Sequence, residues 1–181
     1  AVELVKMGFE TLVEAGAFVS SPTCDYCYGR IATMADGQRA VSTGTLNTPG
    51  RMGSVDSEIY ICNAEGGEVN QVTHDKHGAV SPTLSPDSSL VAFTSYGSGF
   101  PVVNLLDLHA GWERGVTDTP GTSFGAAFSP DGSHLAVVMS FIGNPEIFVS
   151  DLNTNTASCI SDSIGAPASP SWHPEGKQIV D

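Results

Sequence analysis

The sequence predicts an all-β repeat protein, a β-propeller built from four-stranded antiparallel blades. One observation is a turn followed by an apolar strand, written again and again: "SPDSSLVAF" at 85–93, "SPDGSHLAVV" at 129–138 and "HPEGKQIV" at 173–180. With "ADGQRAV" added, the turn acids are Asp36, Asp87, Asp131 and Glu175, spaced by 51, 44 and 44 residues. A second observation is a polar residue closing an apolar run: Asn63 after "EIYIC", Asp107 after "VVNLL" and Asp151 after "EIFVS". The last two stand 20 residues beyond their turn acids, and Asn63 stands 27 beyond, so the first unit carries seven extra residues within "TLNTPGRMGSVDS". The third is a pair nine residues further on each time: Val72-Thr73, Val116-Thr117 and Ile160-Ser161. A unit of about 40–45 residues with four short strands is the signature of a propeller blade.

Taken in order, residues 1–20 stand apart from the repeat. Polar Glu3, Lys6, Glu10 and Glu14 recur every three or four positions, with Val2, Val5, Phe9, Leu12 and Val13 filling the other side. That is the period of an amphipathic helix, and Gly16 is a plausible stop. Residues 21–181 form the blades, at about 29–73, 81–117 and 125–161, with a partial fourth at 169–181. Within each unit the strands follow one plan. In blade 3 "GAAFSPD" ends the first, "HLAVVMS" is the second, "EIFVSDL" the third and "TASCIS" the fourth. Aromatic and β-branched residues alternate with small or polar ones. In the turn, Pro presets φ, the Asp carboxylate accepts bonds from the backbone, and Gly adopts φ > 0 without strain.

Composition sets bounds on function. Of 181 residues, 40% are apolar, a globular balance. No apolar run approaches the ~20 residues of a membrane helix, and membrane insertion is not expected. The net charge is −13, from 7 basic and 20 acidic residues. Such a chain repels nucleic-acid phosphates and anionic membrane surfaces. Four cysteines, Cys24, Cys27, Cys62 and Cys159, are too few for a disulfide scaffold.

"SPDGSHLAVVMSFIGNPEIFVSDL", followed by "SPSWHPEGKQIV", resembles the WD-like repeat of the TolB-type β-propellers. The same repeat occurs in propeller domains attached to prolyl-oligopeptidase-like and tricorn-type peptidases. The resemblance covers roughly residues 29–181, and the first unit departs from it, since "TMADG" replaces the Ser-Pro before the turn. It implies a periplasmic or cell-envelope setting, which the residues themselves do not fix. A closed ring takes at least four blades. Three and a half suggest a piece of a longer protein, a ring completed by a second subunit, or closure by the N-terminal segment.

Several patterns invite a chemical reading. "GTSFG" at 121–125 fits Gly-x-Ser-x-Gly, but that chemistry needs Ser123 on a strand-to-helix elbow, whereas the pentapeptide is expected in the loop between two blades, with a strand following. His74, Asp75 and His77 in "THDKHG" are potential metal ligands, placed in a solvated inter-blade loop. "CDYC" at 24–27 suits half a zinc knuckle, a tight disulfide or two thiols, with no second pair to complete a four-ligand site. Asp107 and Asp151 are read as openers of outer hairpin turns. Leu84, Phe128 and Trp172 share one register and are read as blade packing. No catalytic residue, metal or cofactor is predicted.

The expected function is therefore binding. The "SPDG" turns and outer hairpin turns fall at one end of the strands, the turn end. The second-to-third strand loops and inter-blade connections fall at the other, the loop end. Loop length varies at the loop end, and variable loops on a rigid frame are the usual seat of recognition. Arg51, His77, Tyr96, Asp118 and Phe141 are the candidate contact residues for a protein or small ligand. The alternative is an accessory propeller of a peptidase.

Overall fold

In the computed structural model, the described residues are 26–45, 57–63, 69–75, 77–116, 121–141, 144–161, 167 and 169–180. They contain fourteen strands. Blade 1 comprises β1 (Tyr26–Thr33), β2 (Arg39–Thr45), β3 (Glu58–Asn63) and β4 (Asn70–Gln71). Blade 2 comprises β5 (Ala79–Leu84), β6 (Leu90–Ser95), β7 (Val102–Asp107) and β8 (Glu113–Gly115). Blade 3 comprises β9 (Thr122–Phe128), β10 (His134–Ser140), β11 (Glu146–Asp151) and β12 (Thr156–Cys159). A two-stranded half-blade follows, β13 (Ser171–Trp172) with β14 (Ile179–Val180). Each full blade is a meander in sequence order, antiparallel throughout. The predicted helix over 1–20 lies outside the described residues, as does most of the seven-residue insertion.

The turns explain why each meander starts as it does. Ser129 Oγ donates to Asp131 Oδ1 at 2.6 Å, the same carboxylate oxygen accepts from Ser133 N at 3.0 Å, and Ser129 Oγ accepts from His134 N at 2.9 Å. Ser85, Asp87 and Leu90 repeat the arrangement in blade 2. These bonds hold the Asp131 carboxyl down to about 2, chiefly through Ser129, and lower Asp87 for the same reason. The outer turns use Asp107 and Asp151 alike. Asp107 Oδ1 accepts from His109 N and Ala110 N at 2.8 and 2.7 Å, and Asp151 Oδ1 accepts from Asn153 N and Thr154 N. These acids are turn formers.

Packing runs blade on blade. In β6, Val91 and Phe93 enter the cluster shared with Met34, Val41 and Ile59 of blade 1. Ala92, between them, enters the cluster shared with Leu135, Val137 and Met139 of blade 3. β7 divides likewise, Leu106 toward blade 1 and Val103 and Leu105 toward blade 3. This is the period-2 alternation of a strand, with both faces covered. Each large apolar side chain buried this way contributes roughly 1.5–3 kcal/mol, so the blades have no stable existence apart from their neighbours. Trp172 ties the half-blade on, its Nε1–H donating to Ala127 O at 3.0 Å.

A polar residue also stitches the blades internally. Thr73 Oγ1 accepts from Ile59 N, and Ser161 Oγ accepts from Ile147 N, both at 2.8 Å. These are the Thr/Ser residues of the third sequence marker. In blade 2 the acceptor for Val103 N is instead Ser123 Oγ of blade 3, at 2.8 Å, so this bond joins two blades. Ser123 therefore lies within β9 rather than in the connecting loop that the sequence suggested. It is 4% exposed, with its hydroxyl engaged by backbone.

Candidate functional site

The loop end is held by a carboxylate. Asp75, in the connection between blades 1 and 2, accepts from Ser95 Oγ and from Gly97 N, the latter at 3.2 Å. Its other oxygen accepts from His77 N at 3.3 Å. A Cβ at Gly97 would sit 2.6 Å from the Asp75 carboxylate, so only glycine lets the two segments meet this closely. Tyr96 N donates to Gly78 O at 2.9 Å. The connection bearing His77 and the loop bearing Tyr96 are thus joined. Next to them, Glu58 is buried; Thr73 Oγ1 donates to it at 2.5 Å, and burial pushes its carboxyl above the usual range.

Of the five candidate contact residues, His77, Tyr96 and Phe141 are exposed at this end. Phe141 stands on Phe148 in an edge-to-face pair, ring centroids 5.2 Å apart. Arg51 and Asp118 lie outside the described residues. Asp75 faces Ser95, while His74 Nδ1 meets Gln71 Nε2 at 3.2 Å. Among the described residues no three His, Cys, Asp or Glu side chains converge as metal ligands.

Between blades 2 and 3, facing the propeller axis, lies a cleft of about 430 Å³. Val80, Ser81, Tyr96, Phe124, Gly125 and Ser169 are among its lining residues. Its origin is a defect repeated in the first strands. Ser81 has φ 56° and Gly125 has φ 63°, at equivalent positions one 44-residue period apart. The ladder between β5 and β6 shifts register between Val80 and Thr83. That between β9 and β10 shifts opposite Ala136 and Val138. Such bulges re-aim side chains and free backbone polar groups. Ser81 is a non-glycine residue in the left-handed region, a conformation that costs energy and gathers at functional sites. It is braced by Thr43 Oγ1, which accepts from Ser81 N at 3.2 Å.

The sequence reading passed over Ser81, Phe124 and Ser169. A signal was present, since Ser-Pro occurs at 81–82, inside β5, and again at 169–170, just ahead of β13. A proline there marks an edge strand or a bulge. A larger groove of about 600 Å³ lies at the rim between blades 1 and 2, with His74, Asp75, Asn104 and Glu113 on its walls. It lacks the repeated bulges. At the turn end a third hollow of about 390 Å³ includes Leu84, Phe128 and Trp172 in its lining. These three line the axial wall as well as packing the blades.

Four-stranded antiparallel meanders, stacked face to face and repeating every 44 residues with their first strands at an axis, define a β-propeller. Residues 46–180 match the TolB beta propeller domain, and the chain belongs to that family. The fold is similar to the structure of a putative TolB from Agrobacterium tumefaciens, with a TM-score of 0.74 and 20% identity over 86% of this chain and 54% of that one. It is also similar to TolB from Acinetobacter baumannii, with a TM-score of 0.67 and 26% identity over 79% of this chain and 35% of that one.

A second kind of similarity is shorter. Over 65 residues, 35% of this chain, it is 43% identical to the 3-isopropylmalate dehydratase large subunit of Lachnoclostridium phytofermentans. The chain spans 15% of that protein's length. Among the described residues no helix is long and apolar enough to cross a membrane.

Proposed function

We propose that this chain is a non-enzymatic interaction module whose loop end and adjoining axial cleft hold a protein partner or a small ligand, in a periplasmic or cell-envelope setting. The observation that carries the reading is the cleft itself. It opens beside exposed Tyr96, lies on the first strands β5 and β9, reaches Ser169 ahead of β13, and is shaped by bulges at equivalent positions. Its volume falls in the ordinary range for ligand sites. Its walls mix the apolar Val80 and Phe124 with the hydroxyls of Ser81 and Ser169, and among the described lining residues none carries a carboxylate, imidazole or amine. Such a lining favours capture over acid–base chemistry. The envelope setting follows from family likeness to TolB.

The test is retention of a partner from an envelope extract by the immobilised chain. Tyr96→Ala, Phe124→Ala and Phe141→Ala should release the retained protein, while Asp36→Asn and Asp87→Asn at the turn end should keep it. Thermal melts establish that every variant is folded. Loss confined to the turn-end variants would assign the function to the opposite face.

A further inference from the structure

Blades 2 and 3 are clamped at the rim by a guanidinium. Arg114, in β8, reaches the outer turn of blade 3 and donates there to Asn155 Oδ1 and, at 3.3 Å, to Leu152 O. Its guanidinium lies 5.7 Å from the centroid of the Trp112 ring. One repeat earlier the same positions hold other residues. Asn63 and Asp107 close equivalent third strands. Counted from them, Ile61 opposite Asn70 matches Leu105 opposite Arg114, so Asn70 stands in the place of Arg114. In the outer turn, Gly111 at φ 71° stands in the place of Asn155 at φ 57°. An asparagine side chain is several bonds shorter than an arginine, and glycine offers no side-chain acceptor. These positions therefore form no clamp between blades 1 and 2, and a Cβ at Gly111 would meet nothing within 4 Å.

What stands there is the rim groove of about 600 Å³, and Gly111 and Glu113 both line it. The buried Phe93 and Leu106 give it apolar surface. Asn104 Nδ2 donates to Glu113 Oε1 at 2.7 Å, which orients the carboxylate, and Glu113 Oε2 accepts no bond among the described residues. One repeat on, the residue in the place of Glu113 is Ala157. The repeat thus sets an alanine beside its own guanidinium and a carboxylate in the open groove. A planar guanidinium on an apolar stem suits such a lining. The fork pairs with the carboxylate, and the methylenes cover apolar surface. Glu65, Glu68 and Lys76, near the groove in sequence, lie outside the described residues, and this pairing uses none of them.

We propose that the groove between blades 1 and 2 binds an arginine side chain of a partner polypeptide. Its guanidinium sits against Gly111 and the Glu113 carboxylate, as Arg114 sits against the outer turn of the next blade. Its stem lies on Phe93 and Leu106. This site is separate from the axial cleft and does not depend on it.

Isothermal titration calorimetry on the full chain tests it with three probes: N-acetyl-arginine amide, its uncharged N-acetyl-citrulline counterpart, and ethylguanidinium. The arginine probe should bind at least about tenfold more tightly than the citrulline one, and more tightly than ethylguanidinium, which has a shorter stem. Glu113→Gln keeps an oxygen for Asn104 and removes the charge, and it should weaken the arginine probe at least about fivefold. Asn70→Arg with Gly111→Asn rebuilds the clamp of blades 2 and 3 in the groove, at a φ that asparagine tolerates, and should abolish binding. Lys177→Ser should leave binding unchanged. No binding of the arginine probe, equal binding of the citrulline probe, or wild-type affinity in Glu113→Gln would each overturn the proposal. Equal binding of ethylguanidinium would overturn the assignment to an arginine residue in favour of a small guanidine. Phe141→Ala, expected to release the partner held at the loop end, should leave arginine binding intact, so the two readings fail separately.

Discussion

At the scale of single residues, the turn acids give the fold a pH dependence on its acid side. A carboxyl whose pKa is lower folded than unfolded stabilises the fold above its unfolded value, and that contribution is lost as pH falls through the folded one. For Asp131 the window runs from 3.8 down to about 2, because Ser129 and Ser133 bond its charged form. Asp36, Asp87, Asp107 and Asp151 are shifted in the same direction. Glu58 is shifted the other way, so its contribution is lost as pH rises past its ordinary value. Asp131→Asn should lower the urea midpoint at neutral pH and flatten the acid limb of the stability curve; an unchanged limb would show that the turn is held by other means. The neighbouring position is as informative. Gly37, Gly132 and Gly176 have φ of 67°, 74° and 71°, and blade 2 places Ser88 there at φ 60°. That strain costs about 1 kcal/mol, and Ser88 Oγ offsets it by accepting from Ala35 N at 2.6 Å. Ser88→Gly should thus be nearly neutral. Gly132→Ala should cost about 1–2 kcal/mol, since its Cβ meets Pro86 Cδ at 3.3 Å as well. Equal urea midpoints for the two variants would contradict this account.

At the scale of elements, each blade depends on a hydroxyl that receives the N–H of the third strand's second residue. Thr73→Val keeps the shape and removes the acceptor, and Ser123→Ala does the same in blade 2. Each should cost about 1–3 kcal/mol, the cost of a buried donor left unpaired, read as a shift in the denaturation midpoint. Ser123 should also resist a fluorophosphonate probe, because its hydroxyl is buried and accepts from Val103 N. Labelling there would reopen the hydrolase reading of "GTSFG". The strand plan was legible in the sequence because turn chemistry is local: Ser-Pro-Asp-Gly closes on itself whatever surrounds it. The placement of Ser123 was not legible, because it depends on which strand of the next blade meets Val103. Likewise "LVAF" and "HLAVVM" are nearly continuous apolar runs, since blades stack on both faces, and alternation alone understates them. The axial cleft was the least legible feature. Its bulges are written only as Ser81-Pro82 and Gly125, and the φ values near +60° at Ser81 and Gly125 give them their meaning.

At the scale of the whole molecule, blade 1 straddles the start of the family match. The family match begins at residue 46, just after β2 ends at Thr45. β1 and β2 thus lie outside it, while β3 and β4 lie within. The joint is nonetheless a regular ladder, with six pairs from Arg39 opposite Asn63 to Gly44 opposite Glu58. The departures noted in this unit flank that boundary: the missing Ser-Pro lies before residue 46, and the seven extra residues within "TLNTPGRMGSVDS" fall at and after it. At the far side of the arc the surface is open. All four residues of β12 are exposed, Ile160 is 52% and Val180 63% exposed, and β14 offers one edge with no further strand among the described residues. An apolar blade face and an unpaired strand edge are the two features that drive sheets to associate. The chain should therefore self-associate with rising concentration, seen as a growing mean mass by light scattering. Ile160→Lys with Val180→Lys places charge on that surface without touching the buried clusters between blades. This double variant should remain folded by circular dichroism and shift to the monomer. Association that persists unchanged in the charged variant would locate the contact elsewhere, with exposed Phe100 and Phe141 the next residues to alter.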